Sequence, residues 1–540
     1  MKTLGFAVIL LLCYVFPVDA QEVAHDCAGP PSTFRNVWYI DPVNGATEAA
    51  GGNGSRAHPW NSLQAVFATT TGYTYPLLTT VPYTYWPEGG SGYVFATGPG
   101  AGPIKPGDEI LLMSGNYGNI GIGNYEKEIT NSSFLTVAAA PGQTPVFAAL
   151  YIESTNMLAF NGIKVQSLDP AALSLSNGFL IQVKDQGASF PTSNIVFSNM
   201  TLSSQDDVSS WTQAQWLTYA RSGFSALSSA GGSNTKCISF TNSHITNVRT
   251  GAALSAGQTL FSGNEIDHFG DDGIDYAASN LTMTNNYIHD NLILGDGNHP
   301  DAMQGQIGVL AAGATVNTFQ FILINGNRII RQTDPNLAFP GGLQGIDAFD
   351  SNWDYLTVTN NIVITTACNG ISFASVHAGT IANNTVLNDG LLPSSSLCSP
   401  GVGVGDKTHE GSSSGGVAVR NNLAASITVY NLDPGVEADH NVGIAPTGGG
   451  AVFAWYFYGV AKYYGSPGIY GDANIIVAGG PAAEFGSGFD PSTLSYTVTL
   501  IEGAPAIGAG TTAGAPSVDI LGVAQPTSYG ESAGAYGYPN

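Results

Sequence analysis

Charge is scarce in this chain, and positive charge is scarcest. Only 10% of the 540 residues are charged, and 15 Lys and Arg stand against 39 Asp and Glu, a net charge of −24. Such an acid excess repels nucleic acid and anionic membrane surfaces, so neither is expected as a partner. A polyanionic substrate would need a divalent cation between itself and the protein. Cysteine is also rare, with 5 in all, and no two stand in a C-x-x-C pair, which argues against a zinc knuckle. Past the first twenty residues no apolar run reaches the ~18 residues of a membrane span. What is abundant is glycine, at 69 residues, alongside 43% hydrophobic residues. That mixture suits many short turns between buried strands and does not suit a helical bundle.

The first twenty residues read as a secretory signal: Lys2, an apolar stretch from Leu4 to Phe16, then small residues at Val18 and Ala20. Removing them takes away one basic and one acidic residue, Lys2 and Asp19, and leaves the net charge unchanged. The expected location is therefore extracellular, or periplasmic in a bacterium. Four cysteines remain, Cys27, Cys237, Cys368 and Cys398. They allow three connectivities that sequence cannot distinguish; Cys368 with Cys398 is the pairing we favour. Asn-x-Ser/Thr sites such as Asn53 and Asn280 would carry glycan only in a eukaryotic secretory pathway.

The chain nearly repeats itself. GDDGIDYA at Gly270, HPDAMQGQ at His299, LQGIDAFD at Leu343 and CNGISFAS at Cys368 align by eye. Each follows an Asn-bearing apolar strand: GNEI at Gly263, NNYI at Asn285, GNRI at Gly326 and NNIV at Asn360. One short strand per 20 to 30 residues marks a solenoid, in which equivalent positions of successive coils lie about 4.8 Å apart. Residues distant in the chain then share one site. Upstream, Trp60, Leu63, Val66 and Phe67 in HPWNSLQAVF recur at helical spacing and predict a short helix capping the open end. PGDEILLMSGNYG at Pro106 opens the run of strands, and Asp206 to Ser225, with Trp211, Trp216 and Leu217, predicts a helical insertion outside the coils. The expected organisation is a signal peptide (1–20), an N-terminal cap and irregular excursion (21–105), the coils (106–445) and a Gly-rich closing segment (446–540).

The closing segment, with IEGAPAIGAG at Ile501, DILG at Asp519 and GAYG at Gly534, together with HPWNSLQAVF and PGDEILLMSGNYG, resembles exported right-handed parallel β-helix proteins of the pectate-lyase-like superfamily. The resemblance spans most of the mature chain. It implies an all-β right-handed parallel β-helix and a polysaccharide-active protein, but the fold also carries lyases, polygalacturonases, epimerases, tailspike hydrolases and adhesins. The Asn-Thr-Asp, Gly-His-Gly and Arg-Ile-Lys triplets of polygalacturonases and the Asp-Pro-His of uronan epimerases do not occur, so no catalytic residues carry over from those groups.

Stacking the repeats turns sequence into columns. Ile274, Met303, Ile346 and Ile371 form an inward apolar stack, and the next residue of each coil points outward: Asp275, Gln304, Asp347 and Ser372. Two residues before the inward stack a second column holds Asp272, Asp301, Gln344 and Asn369. The recurring asparagines Asn264, Asn286, Asn327, Asn361 and Asn384 read as scaffolding, whereas mid-strand Asp275 and Asp347 have no capping task. Alternate coils place those two about 10 Å apart, near the spacing of an inverting glycosidase pair. Asp272 and Asp301, one coil apart, fit a retaining pair or two ligands of calcium.

His299 stands beside the column as an acid or base, with Asp296 to orient it. Lys407 and His409, in GDKTHEG, are candidate bases for proton abstraction next to a uronate carboxylate, and Arg420 a candidate neutraliser of that carboxylate. Gln304 and Gln344 are candidate substrate-binding amides. Phe349, outward beside Asp347, with Trp353 and Tyr355 nearby, would pack against sugar faces. The leading expectation is a secreted, monomeric polysaccharide-cleaving enzyme hydrolysing glycosidic bonds with paired Asp residues, needing no cofactor or else calcium. A calcium-assisted lyase or epimerase and a non-catalytic glycan-binding surface protein are the alternatives.

Overall fold

The computed structural model describes residues 27–81, 102–123, 129–167, 178–229, 234–308, 310, 314–367, 369–391, 400–405, 414–429, 437–444, 453–457, 460–464, 468–469, 473–477, 479–525, 528 and 530–538. Strands form three long sheets of 14, 11 and 14 strands. The first runs from Val37–Ile40 to Glu437–Asp439, the second from Asn119–Ile122 to Ile427–Val429, and the third from Gly115–Asn116 to Ile475–Val477 with Gly468–Ile469 at its edge. Pairing is parallel throughout the first two sheets and in the third as far as its last, antiparallel edge pair. Each coil adds one strand to each sheet, which makes the fold a right-handed parallel β-helix. No helix among the described residues is long and apolar enough to cross a membrane.

The repeated Gly-Asn and Asn-Asn pairs explain how the coils turn. Their first members adopt left-handed backbone, with φ of 68° at Gly263, 56° at Asn285, 69° at Gly326 and 56° at Asn360. Glycine and asparagine tolerate that region best. The second members are buried and form a hydrogen-bonded ladder. Asn286 Nδ2 donates to Asn327 Oδ1 at 2.9 Å, Asn327 Nδ2 to Asn361 Oδ1 at 3.0 Å, and Asn361 Nδ2 to Asn384 Oδ1 at 3.0 Å. It continues through Asn422 and Asn441 to Asn474. The scaffolding role expected of these asparagines is what the structure shows.

Inside, like stacks on like. Phe160 and Phe197 lie 5.3 Å apart and Phe240 and Phe261 5.5 Å, between ring centroids. Ile274, Met303, Ile346 and Ile371 are all buried and in register. At the N-terminal end a four-residue helix, Gln64–Phe67, buries Ala65, Val66 and Phe67 with Trp60 and Leu63 against the first coils. The insertion after Asp206 contains the helix Gln213–Tyr219, started by a Thr212/Gln215 capping box. Its Trp211 and Trp216 pack with Leu292, Leu294 and Leu337 in an apolar cluster outside the coils. The C-terminal residues lie along the third sheet, where Phe485, Tyr496, Leu500, Ala506 and Ala535 cover Ile330, Ile362 and Leu423.

Cys27 is disulfide-bonded to Cys237, 210 residues away. The sequence expectation favoured a different pair, and Cys368 and Cys398 lie outside the described residues. The stretch expected to be a signal peptide, residues 1–20, also lies outside them.

Candidate functional site

The outward column forms as the register requires. On the second sheet Asp275 pairs with Gln304, Gln304 with Asp347 and Asp347 with Ser372, so Asp275 and Asp347 sit two strands apart. Asp301 pairs with Gln344 one step along, and the Asp301 N–H donates to Asp272 Oδ1 at 2.8 Å. The structure thus gathers Asp272, Asp275, Asp301 and Asp347 on three consecutive coils.

Burial distinguishes them. Asp301 is 0% exposed, Asp347 1% and Asp272 8%, while Asp275 is only partly covered. Asp347 therefore does not stand free in solvent as its outward register suggested. The four form two carboxyl pairs. Burial first, then the charge of Asp275, pushes the Asp272 pKa up to about 9. Burial also lifts Asp275, but a hydrogen bond from Gln306 opposes it, the Asp271 charge raises it and a hydrogen bond from Asp272 lowers it, leaving it at about 6. In the second pair, burial and then the neighbouring Asp301 charge drive Asp347 well above the ordinary carboxylate range. Asp301 is raised by burial and held back by hydrogen bonding to Asp347. Within each pair the upward shift is strongest at Asp272 and at Asp347. Among the described residues neither Asp347 oxygen, nor Asp301 Oδ1, has a hydrogen-bond partner outside the pair.

A rim of amides and one imidazole lies above these acids. Gln304 Nε2 donates to Asp301 Oδ2 at 3.0 Å and Gln306 Nε2 to Asp275 Oδ1 at 3.0 Å. His299 Nδ1 lies 3.2 Å from Asp301 Oδ2 and 3.0 Å from Gln344 Nε2. One nitrogen cannot serve both at once: it donates to Asp301 when it carries hydrogen and accepts from Gln344 when it does not. The His299 side chain is 70% exposed, so its other face is open to a ligand. Asp296, expected to orient His299, instead forms an ion pair with Arg249, which also approaches Asp271 at 3.8 Å. Gln306, Arg249 and Asp271 were missed in the sequence. Strand alternation continued past Gln304 would have found Gln306.

Several expected members lie elsewhere. Arg420 is on the first sheet, where its guanidinium meets Glu437, Asp439 at 3.1 Å and the Ala513 carbonyl; three acceptors already engage it, away from the acid column. Trp353 is fully buried, 5.5 Å from Tyr276 and 5.3 Å from Phe319 between ring centroids, so it is core and not a sugar platform. Tyr355 is 50% exposed but stacks on Phe321 over the first sheet. Phe349 stays half-buried just beyond Asp347. Lys407 and His409 lie outside the described residues. Of the two expected calcium ligands, Asp272 accepts the Asp301 N–H at its Oδ1, and among the described residues the column brings no three His, Cys, Asp or Glu ligand atoms within 4.8 Å of one another.

A family model described as a right handed beta helix region matches residues 225–424, which contain the whole acid column. No curated protein sequence matches the chain. Among solved structures, a pectate lyase is 14% identical over 94% of this chain and 97% of its own, with a TM-score of 0.36. A rhamnogalacturonan lyase is 13% identical over 75% and 87%, at 0.35. A polysaccharide lyase from Pseudopedobacter saltans is 12% identical over 74% and 93%, at 0.34. Likeness this distant carries no argument about activity. By its three parallel sheets, and by the family model over its central coils, the chain is a right-handed parallel β-helix protein.

Proposed function

We propose that the protein is an exported polysaccharide-cleaving enzyme that hydrolyses glycosidic bonds in a groove across the second sheet. The observation that carries this reading is the gathering of four carboxyls, Asp272, Asp275, Asp301 and Asp347, on three consecutive coils, three of them buried and Asp275 partly open. Hydrolysis of a glycoside needs one group that holds a proton near neutral pH and one that has lost it, placed on either side of the scissile bond. Asp275, partly exposed and titrating at about 6, is suited to take a proton from the attacking water. A proton held by the Asp301–Asp347 couple would pass from Asp301 to His299 Nδ1 while the imidazole releases its Nε2 proton to the departing oxygen. Two strand spacings, about 9.6 Å between backbones, separate Asp275 from Asp347, which favours direct displacement by water and inversion at the anomeric carbon. No metal enters these steps.

The His299–Asp301 contact supports a second reading, β-elimination on a uronic acid polymer, with the imidazole as base. Incubating the protein with neutral and uronic polysaccharides, with and without a chelator, separates the two. New reducing ends without ultraviolet absorbance support hydrolysis, and absorbance from unsaturated ends supports elimination. Binding without any new ends would make this a glycan-binding protein. Full activity in Asp275→Asn and Asp347→Asn would refute the site.

A further inference from the structure

A second cluster of ionisable side chains lies on a different face, the outside of the third sheet, and takes no part in the reaction above. His244 is in register with Glu265, and Thr246 with Asp267; on the next coil Glu265 pairs with Tyr287 and Asp267 with His289. One ligand atom each from His244, Glu265 and Asp267 lies within 4.8 Å of the other two. His244 Nε2 approaches Asp267 Oδ2 at 2.5 Å, while Asp267 Oδ1 is held by His268 Nδ1 at 2.6 Å and by the Thr246 hydroxyl. One carboxylate oxygen is thus anchored by neighbours and the other is aimed at the imidazole.

His289 borders the cluster from the next coil. It is 8% exposed, with its Nδ1 2.6 Å from Asp290 Oδ2 and its Nε2 3.2 Å from Glu265 Oε1, so a buried imidazole holds the Glu265 carboxylate beside His244 and Asp267. Finally, a shallow cavity of about 370 Å³ abuts the cluster, lined by His244 and Glu265 together with Asn199, Thr201, Asn242 and Ser243.

We infer that His244, Glu265 and Asp267 form a site for a divalent first-row transition metal, with an open coordination position towards the cavity. Imidazole nitrogens mixed with carboxylates select such an ion over calcium or magnesium, which prefer oxygen alone. Binding requires the His244–Asp267 contact to open by under about 1 Å, since metal–nitrogen and metal–oxygen bonds of about 2.0–2.2 Å at tetrahedral angles put the two donors about 3.3 Å apart. The His244 side chain is 42% exposed and free to swing that far.

The test uses the full chain, stripped with a chelator and titrated calorimetrically with zinc in the presence of excess calcium. One equivalent of zinc is expected to bind regardless of the calcium. His244→Gln and Glu265→Gln are each expected to weaken it at least roughly tenfold, with unchanged circular dichroism. His377→Gln, which alters the histidine–aspartate contact to Asp354 on the first sheet, should leave zinc binding unaltered. Asp275→Asn should do the same, so failure of the catalytic reading leaves this one standing. No zinc uptake, displacement of zinc by calcium, or full affinity in His244→Gln would overturn the inference.

Discussion

Replacing Asp272 by Asn should make the protein more stable, and increasingly so as pH rises. In the folded state burial and the charge of Asp275 hold Asp272 at about 9, against 3.8 for the free group. Below pH 3.8 folded and unfolded chains both carry the proton, and the group is neutral for stability. Above it the unfolded chain loses its proton while the folded chain cannot, so wild type is progressively disfavoured up to about pH 9 and no further. At pH 7 the gap, 7 minus 3.8, is about 3.2 pH units, a ceiling of about 4 kcal/mol at about 1.36 kcal/mol per unit. Titration shared with Asp275 reduces that to about 2 kcal/mol or more. Asparagine imitates the protonated acid. Its Oδ1 can still accept the Asp301 N–H now bonded at 2.8 Å, and its Nδ2 supplies a neutral donor beside Asp275. Denaturant unfolding of wild type and Asp272→Asn from pH 4 to 9 should give coincident curves at pH 4 and a variant more resistant at pH 7 and above. A variant weaker at pH 8, or an advantage that persists undiminished at pH 4, would refute the assignment of a buried proton to this couple.

Other outcomes follow from the same geometry. If Asp275 must be ionised to act as base, kcat/KM should rise with pH through about 6, and Asp275→Asn should lose ~10²–10⁴-fold in rate with that limb abolished; a limb surviving in the variant would exclude Asp275. Asn327→Ala removes the side-chain acceptor of the Asn286 N–H and Nδ2 and the side-chain donor to the Met283 carbonyl and to Asn361 Oδ1, the last of which still accepts from the residue 327 N–H. At about 1–3 kcal/mol for each buried group left unpaired, it should destabilise by several kcal/mol in equilibrium unfolding, and a cost under about 1 kcal/mol would deny the ladder its structural role. Cys27→Ser opens a covalent loop spanning 210 residues. The chain-entropy ceiling is about 5 kcal/mol, so the unfolding midpoint should fall, and an unchanged midpoint in oxidising buffer would show that the bond contributes nothing.

The periodic features were legible in the sequence because each is local. A left-handed residue followed by a buried asparagine is a two-letter signal, repeated at Gly263, Asn285, Gly326 and Asn360, and an apolar inward position fixes the outward one beside it. Hence Asp275, Gln304, Asp347 and Ser372 fall into one column on spacing alone. Trp353 escaped because the turn after Ala348 resets the alternation, so its ring enters the core instead of following Asp347 outward. Arg420 escaped because its partners include the Ala513 carbonyl, contributed by a segment 93 residues later.

Sequence by itself therefore determined the solenoid, its turns and which residues share a coil position, since those depend on neighbours one strand away. Tertiary structure alone decided how far each carboxyl is removed from water and which neighbours it bonds to. Asp275 and Asp347 occupy the same register and differ only in what surrounds them. Partial cover and an amide from Gln306 hold one near 6, while full burial and then the Asp301 charge raise the other well above the ordinary carboxylate range. That difference arises from groups several coils and loops apart, and desolvation is a property of everything packed around a charge, which no local pattern records.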